Sequence, residues 1–491
     1  MWPFRNRRKV HSPLPGRCAR ERIGLRSFAR PLTRILARYD AAQTTVENVR
    51  HWAMADGLSP DATMTPEIRR TLRNRARYEV ANNSYAKGMV LTVAGDCVGT
   101  GPRLQLLSED GETNRTIEQE FADWAAAVDL AAKLRTMKMA KATDGEAFAM
   151  LIDNPSLDHP VKLDVRPIEA DRITSPPKWF GNQHIVDGIE LDNFGNPTVY
   201  HVMQDHPGGT AFPFGRFEKI PAAGMIHWFR ADRPEQHRGV PEITPALPLF
   251  AQLRRYTLAV LAAAETAADF AAVLYTDAPA NGEATPVEPL DVIELEKRMA
   301  TTLPDGWKLG QIRAEQPGTT YAEFKRELLG EIARCLQVPI NVITGDSSRH
   351  NSASGRLDHQ TYFKSLRIEQ SHLGRTVMDH IFSTWIAEAA LLNVFAMLRA
   401  LDDVRTQWFF DGHEHVDPVK EANAQATRLK NHTTTLAVEY ARQGRDWETE
   451  LKQRAKEIAL TRKLGLTEAE SLPSAGKPKK ETVDENVQQA A

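Results

Sequence analysis

The sequence has few cysteines: three in 491 residues, at Cys18, Cys97 and Cys335. Small secreted domains held by disulfides, and zinc sites built on closely spaced cysteine pairs, need more cysteines at shorter spacings. Both classes are therefore excluded. The usage is typical of a protein that folds in a reducing compartment.

Long apolar runs are also missing. No stretch reaches the roughly 18 consecutive apolar residues that a membrane-spanning helix needs. The first residues lack the apolar segment of a signal peptide. The sequence therefore predicts a protein that has no membrane partner.

An excess of charge of either sign is missing as well. The formal net charge is −2, with 26% charged and 42% hydrophobic residues, which is a globular composition. It excludes a strongly basic chain that grips nucleic acid along its whole length. The length predicts two to four domains. The first 38 residues nevertheless hold eleven Lys or Arg and the single acid Glu21. This arm is either solvated and disordered or a contact for nucleic acid or an acidic partner.

Signatures of catalysis are absent. The chain contains neither the G-x-S-x-G elbow of serine hydrolases nor the G-x-x-x-x-G-K-[ST] phosphate loop. Ser347 and Ser348 follow no strong predicted strand, and His350 and His359 are near them only in sequence. We predict no enzyme, no catalytic residue and no cofactor. A soluble serine hydrolase that uses residues 345–350 stays as an alternative.

Two polar patterns that resemble metal or acid sites are better explained otherwise. The His-Glu-His run at 413–415 lacks H-E-x-x-H spacing and a third ligand nearby, which favours an exposed loop. Asp144 and Glu146 lie where a predicted helix gives way to a strand, and we expect them to serve in capping and solvation. No metal site is predicted.

The first half of the chain mixes helices and strands. Apolar positions at helical spacing predict helices over 41–90, with Thr65 as an N-cap and Pro66 in the first turn, and over 115–140. Short segments separated by Gly, Pro and Asn then predict strands, with a hairpin turn at 192–197. The strand segments are EAFAMLI, VKLDVRPI, IVDGIEL, TVYHVM and MIHWFR. The first half is therefore predicted to be an α+β domain.

The second half is predicted to be helical apart from one insert. An alanine-rich helix begins near Phe250, and such a helix packs closely against neighbours, either within one chain or between copies of it. An insert at 277–320 follows, and a second helix ends before Pro339. After the polar stretch GDSSRHNSASGR come a third long helix and a final helical pair at 418–464, with Asp446 as an N-cap.

Eight stretches, taken in order, are typical of one family. They are RNRARYEVANNSYAKGMVLTVAGDCVGTGPRLQ, FADWAAAVDL, ATDGEAFAML, GIELDNFGNPTVYHV, IHWFRADRPEQHRGVPEITPAL, EIARCLQVPINVITGD, NSASGRLDHQTYFKSLR and VDPVKEANA. Across roughly residues 40–465 the chain resembles the lambda-type family of tailed-bacteriophage portal proteins. The match is weak at both termini.

The resemblance implies a portal fold: an α+β wing, a helical stem, a small α/β clip and a helical crown side. Its segments would be a basic N-terminal arm (1–40), a wing (41–240), a first stem helix (241–272), a clip (273–320), a second stem helix (321–337), a tunnel loop (338–356), a tunnel helix with the wing return (357–417), crown-side helices (418–467) and a disordered tail (468–491).

The resemblance also assigns roles to residues. Those facing DNA from the tunnel loop would be Asp346, Ser347, Ser348, Arg349, His350, Asn351 and Arg356. Those binding the motor or the connector from the clip would be Glu288, Asp291, Glu294 and Glu296. Those packing between stem helices would be Ala263, Ala264, Ala267 and Ala268.

Portal proteins form rings, typically of twelve subunits, at one capsid vertex. The implied function is a port through which double-stranded DNA is packaged and ejected without sequence preference. The implied partners are other copies of the chain, the terminase large subunit, head–tail connector or adaptor proteins, and the major capsid and scaffold proteins. The implied location is the virion, after assembly in the host bacterial cytoplasm.

The charge of the chain suits that role. Duplex DNA carries one charge about every 1.7 Å, so a strongly basic channel would hold it fast, whereas a near-neutral chain lets it slide. The alternatives are the serine hydrolase and a DNA-binding adaptor that forms no ring. Whether the particle is a phage, a prophage remnant or a gene-transfer particle stays open.

Overall fold

The computed structural model describes residues 46, 49–108, 110–176, 185–209, 215–269, 273–276, 307–310, 319–348, 352–392, 405–412 and 418–465. The chain divides into two units, Met1–Leu58 and Ser59–Ala491, and the elements below belong to the second. The predicted basic arm, most of the predicted insert, the His-Glu-His run and the predicted disordered tail lie outside the described residues.

Helices dominate the described residues. They are α1 (Pro60–Thr63), α2 (Pro66–Asn82), α3 (Ser84–Val98), α4 (Gly111–Ala127), α5 (Leu130–Asp144), α6 (Leu247–Asp269), α7 (Thr319–Arg334), α8 (Ile340–Thr344), α9 (Ser352–Leu373), α10 (Asp379–Ala389), α11 (Pro418–Lys430), α12 (Leu436–Arg442) and α13 (Trp447–Lys463).

Within the described ranges the strands form four small antiparallel sheets, in the orders β3-β2-β8, β4-β5-β6-β7, β1-β11 and β10-β9. They are β1 (Arg103–Leu106), β2 (Glu146–Asp153), β3 (Leu163–Ile168), β4 (Ile185–Val186), β5 (Ile189–Leu191), β6 (Pro197–Met203), β7 (Phe217–Pro221), β8 (Met225–Phe229), β9 (Val273–Thr276), β10 (Trp307–Gly310) and β11 (Thr406–Phe409). The predicted α+β class is confirmed.

The helix ends follow local capping chemistry. Thr65 accepts a hydrogen bond from the Ile68 amide at 3.4 Å, so the predicted N-cap is confirmed. The helical region predicted over 41–90 contains a break that was not predicted, because α2 ends at Asn82 and the extended Asn83 caps α3 through its side chain. The predicted helix over 115–140 is also two helices, which break at Asp129, a residue with a φ of 51°.

The five predicted strand segments are confirmed, and one of them is split. The segment IVDGIEL is a hairpin rather than one strand, because Asp187 and Gly188 turn the chain between β4 and β5. The predicted turn at 192–197 joins β5 to β6, and the Asp192 amide donates to the Asn196 carbonyl at 2.9 Å. Strand β7 was not predicted.

β2 is the central strand of the body, and both its faces are buried. Ala147 and Ala149 face a core formed with α4, α5, α9 and α10, where aromatic side chains cluster around Phe121. Phe148 and Met150 face the opposite core, against β5 and β6. This alternation follows from the two-residue period of a strand, and it fixes the register of β2 between β3 and β8.

Between residues 418 and 465 the chain forms three helices rather than the predicted pair. Thr435 caps α12, and Asp446 caps α13 by accepting from the Thr449 amide at 3.0 Å, which confirms the predicted N-cap. Gly444, with a φ of 70°, separates α12 from α13. This group is held to the body by β1 and β11 and by the Gln105 side chain, which donates to Asp446 at 3.0 Å.

Candidate functional site: a helix pair and a polar loop

Helices α6 and α7 lie against each other on either side of the predicted insert. Tyr256 of α6 stacks on Tyr321 of α7 with ring centroids 5.6 Å apart, and it meets Phe324 edge-on at 4.8 Å. The hydroxyl oxygens of Thr257 and Tyr321 are 3.3 Å apart. β9 follows α6 in the sequence, β10 precedes α7, and these two strands pair with each other. The chain leaving α6 and the chain entering α7 therefore stay adjacent beyond the helices.

The burial of α6 changes along its length. Its first part, with Phe250 and Leu253, is packed against α2, α3 and α7, and these two side chains are 0% and 4% exposed. Further along, Leu258 is 59% exposed and Leu261 is 53% exposed. The second part of α6 therefore presents large apolar side chains that the single chain leaves uncovered.

The alanines predicted to pack in the stem lie in this uncovered part. Ala263 is exposed in the single chain and Ala264 is half-buried. The side chains of Ala267 and Ala268 lie outside the described residues. The packing assigned to these alanines therefore stays a prediction.

The segment predicted as a loop over 338–356 is helical at both ends. α8 occupies 340–344 and ends at Gly345, which has a φ of 67°. α9 begins at Ser352. The polar stretch that remains between the helices is therefore shorter than predicted, because apolar residues of α8 join the core against α7.

The residues predicted to face DNA fall in three places. Asp346, Ser347 and Ser348 are exposed, and the Ser348 amide donates to the Asp346 carboxylate at 2.8 Å. Arg356 is exposed in the first turns of α9. Arg349, His350 and Asn351 lie outside the described residues.

The described part of the loop does not form a nucleophilic site. The Ser347 hydroxyl accepts from the Asn341 side chain at 3.4 Å, and that same amide nitrogen is 3.0 Å from Nε2 of His359. His359 therefore pairs with an amide rather than with a serine. Among the described residues the geometry gives no support to the hydrolase alternative.

Helix α9, which carries the loop, is anchored on its inward face. The Tyr362 hydroxyl donates to the Asp96 carboxylate at 2.7 Å. Glu369 accepts from Lys138 at 2.9 Å and from Lys141 at 2.7 Å. A π-helical turn at Gly374–Met378 then joins α9 to α10. The C-terminal half of α9 is therefore tied to α3 and α5, whereas its N-terminal turns lead into the loop.

The two lysines that hold Glu369 are themselves buried. Lys141 is 0% exposed, donates to Glu242 at 2.7 Å and lies 5.5 Å from the centre of the Trp228 ring. Burial alone would raise the pKa of Glu369, but the lysines outweigh it and lower the pKa to about 2. The carboxylate therefore stays ionised throughout the ordinary pH range.

The role predicted for Asp144 and Glu146 was wrong. They are 7% and 1% exposed, so neither serves in solvation. Arg77 binds Asp144 with two hydrogen bonds of 2.8 and 2.7 Å. Glu146 accepts from Arg238 at 2.6 and 2.9 Å and from the Gly239 amide at 2.9 Å. The reason is that the turn at 145 brings both acids inward, under α2 and the segment that leads to α6.

These acids belong to a larger charged cluster that the sequence did not reveal. Three arginines at four-residue spacing on α2 face it: Arg69 binds Asp187, Arg73 binds Glu146 and Asp171, and Arg77 binds Asp144 and Asp171. We call this set the arginine ladder. The sequence signal that could have revealed this cluster was the four-residue spacing of the arginines, since it places charged residues on the face of α2 where apolar core residues would be expected.

The cluster keeps Glu146 ionised. Burial would raise its pKa, but Arg238 and His227 outweigh it, and the pKa lies well below its ordinary value. The His227 ring, whose Nε2 is 3.1 Å from Glu146, stacks between Phe148 and Phe229. Burial lowers the pKa of His227. The arrangement stabilises the fold rather than offering a group for chemistry.

One group of side chains has the composition of a metal site. Glu169, Asp171 and His206 each place a ligand atom within 4.8 Å of the others. Arg77 already lies 2.7 Å from Asp171 and 3.7 Å from Glu169, and a guanidinium in that position opposes the binding of a cation. The group is therefore explained by its ion pairs.

Within the part of the chain that the structure describes, no helix combines the length and the apolar character that crossing a membrane would require.

Comparison with known proteins places the chain in a family. The sequence model described as phage portal protein, lambda family, matches residues 47–370. A probable portal protein of Halomonas phage phiHAP-1 is 25% identical over 429 residues, which are 81% of this chain and 81% of that protein.

Two solved structures are similar at lower identity. The neck of a native gene transfer agent particle, computed with C12 symmetry, matches with a TM-score of 0.41 and 14% identity over 79% of this chain and 95% of that chain. An HK97-family phage portal protein from Corynebacterium diphtheriae matches with a TM-score of 0.27 and 13% identity over 75% of this chain and 99% of that chain. Because the family model covers well over half of the sequence, the chain belongs to the lambda family of phage portal proteins, a family of structural proteins rather than enzymes.

Proposed function

We propose that copies of this chain assemble into a ring at one vertex of a capsid, and that double-stranded DNA is packaged and ejected through the ring. The observation that supports this most directly is the uncovered second part of α6. The ring would have twelve subunits, the number that the family resemblance implies.

The uncovered part of α6 suits contact between copies. Leu258 and Leu261 are each more than half exposed on one face of α6, and Ala263, two residues after Leu261 and on another face, is also exposed. Apolar side chains in such a row gain roughly 25 cal/mol per Å² when a neighbour covers them. Small side chains allow the helices of several copies to approach closely around an axis. In this proposal α6 and α7 form the stem of the ring.

The polar stretch between α8 and α9 faces the channel in this proposal. Its described residues 345–348 are exposed, and the helices on both sides fix its ends. Contacts with DNA phosphates there, including one from Arg356 on α9, would be brief and sensitive to salt. Deletion of 347–352 is expected to leave the ring intact and to impair packaging or the retention of packaged DNA.

The remaining partners follow the same proposal. The segment at 273–320 would dock the terminase large subunit during packaging and the head–tail connector afterwards, through Glu288, Asp291, Glu294 and Glu296, which lie outside the described residues. The rim of the ring would meet the major capsid and scaffold proteins. Assembly would take place in the host bacterial cytoplasm and the ring would end in the virion.

Electron microscopy of the purified protein, with native mass spectrometry, tests the proposal. We expect rings with a central hole from the wild type. Ala263→Trp should abolish them, because an indole does not fit where helices approach closely. Ala126→Trp, at an exposed alanine of α4, is the matched control and should form rings normally.

The outcomes separate the assignments. A wild type that stays a monomer or a dimer would overturn the ring and favour the DNA-binding adaptor. Rings that form equally well with Ala263→Trp would keep the ring and overturn the stem assignment.

A further inference from the structure

Helix α7 carries a row of acids on its exposed face. Glu323, Glu327 and Glu331 follow at four-residue steps and are all exposed, while Leu328 and Ile332 on the other side of the helix are buried. Residues at this spacing lie on one face of a helix. We call these three residues the acidic stripe; it is about 12 Å long.

Helix α9 and the π-helical turn after it carry a row of opposite charge. Lys364, Arg367 and Arg375 are exposed on one face, while Glu369 and Gln370 point inward to the anchoring contacts. We call these three residues the basic stripe. It is about 16 Å long, so the two stripes are similar in length and opposite in sign.

Within the described part of the chain, neither stripe contributes an ion pair. The contact found for the basic stripe is a hydrogen bond from Nε of Arg367 to the Phe363 carbonyl at 3.3 Å. Like charges at four-residue spacing destabilise a helix by roughly 0.2–0.5 kcal/mol per pair. The single chain thus carries two rows of like charge whose members form no ion pair with other described residues.

We propose that the acidic stripe of one copy docks on the basic stripe of the next copy in the ring. This inference rests on the proposed ring. In such a head-to-tail contact each copy offers a different face to each of its two neighbours. Opposite charges on the two faces make them complementary to each other in every pair of neighbouring copies. Contact of two like faces places like charges together, so the stripes also select against the reversed orientation.

The stripes act mainly on recognition. Exposed ion pairs contribute little affinity, whereas complementary fields raise the association rate and exclude wrong partners. The apolar contact of α6 therefore supplies the affinity, and the stripes supply the direction of assembly.

Charge reversal tests this pairing. One variant carries Glu323→Lys, Glu327→Lys and Glu331→Lys; the other carries Lys364→Glu, Arg367→Glu and Arg375→Glu. Each variant alone brings like charges together at every contact, and we expect at least a roughly tenfold lower yield of rings at about 0.1 M salt. Asp123→Lys, an exposed acid of α4 outside both stripes, should assemble like the wild type.

Mixing the two variants in equal amounts is the decisive arm. Each reversed stripe then meets a complementary one in an alternating ring, so rings should return, and native mass should show equal numbers of the two variants. A chain that carries all six reversals should also form rings. Melting curves of the separate variants, which should match the wild type, show that the chains are folded.

The results distinguish this inference from the ring itself. If the wild type forms no rings, the proposed function fails. If rings form from the wild type and equally from each reversed variant, or if folded variants are not rescued by mixing, the stripe pairing is overturned and the ring stands. Normal rings that lose DNA only when the basic stripe is reversed would show that this stripe faces nucleic acid, which also overturns the pairing.

Discussion

Glu146→Gln should destabilise the body of the protein strongly. The Glu146 carboxylate and its partner Arg238 are both fully buried, and Arg73, at 5% side-chain exposure, also depends on it. The glutamine amide lacks the negative charge that balances two buried guanidinium groups. Breaking a buried ion pair in this way lowers the free energy of unfolding by about 3–5 kcal/mol. Near the melting temperature a folded body of roughly 400 residues has an unfolding entropy of about 0.8 kcal/mol per kelvin, so Tm should fall by about 4–6 °C.

The assay is thermal unfolding of the wild type and the variant, with Glu457→Gln as the matched control. Glu457 is 52% exposed in its ion pair with Arg454, so its substitution should change Tm by less than about 1 °C. Because the folded pKa of Glu146 lies below its ordinary value, its contribution is complete above about pH 4.5 and is lost at lower pH. The gap between wild type and Glu146→Gln should therefore narrow in acid. Equal Tm losses for Glu146→Gln and the control would refute this account of the cluster.

Three further expectations follow from single contacts. Gly145→Ala should prevent folding or lower Tm by several degrees, because φ is 91° and a Cβ would collide with the backbone that follows Gly239. A Cβ at Gly111 would meet no neighbouring atom, so Gly111→Ala is the control and should be neutral. Solubility and melting curves of both variants check this expectation. Glu369→Gln should destabilise the fold at pH 7 but much less near pH 3, because the carboxylate of Glu369, with a pKa of about 2, loses its contribution to stability as pH falls from 4.5 toward 2. Melting curves of the wild type and the variant at the two pH values measure this. A difference in Tm that does not change with pH would contradict it. Cys97 and Cys335 should resist iodoacetamide at pH 8 until the chain unfolds, because burial raises the pKa of each thiol to about 12, and mass spectrometry of labelled peptides would detect early reaction.

Local patterns in the sequence were enough for many elements of the fold. Thr65 and Asp446 are caps whose partners lie three residues away, and the strands around β2 alternate within a few residues. The breaks at Asn83 and Asp129 were missed because helical spacing of apolar residues continues across them. β1 and β11 were missed because each is four residues long and finds its partner about 300 residues away.

The candidate site shows the same division. The approximate positions of α6, α7 and α9 follow from periodicity, but the exposure of the second part of α6 depends on which neighbours cover it. The burial of Asp144 and Glu146 could not be predicted, since their partners come from separate segments and no local pattern links them. The loop was predicted too long, because the apolar residues of α8 support a short helix only when α7 is there to pack against.

The arginine ladder has a consequence for the order of events during synthesis. α2 leaves the ribosome early, but its partners lie between 67 and 118 residues further along the chain. Until those residues emerge, the face of α2 that becomes buried is positively charged and hydrated rather than apolar. A nascent chain of this kind exposes less apolar surface to aggregation before its partners are synthesised. Once the β2 region is complete, its carboxylates bind the arginines of α2. The ladder thus defers the docking of α2 until its binding surface exists.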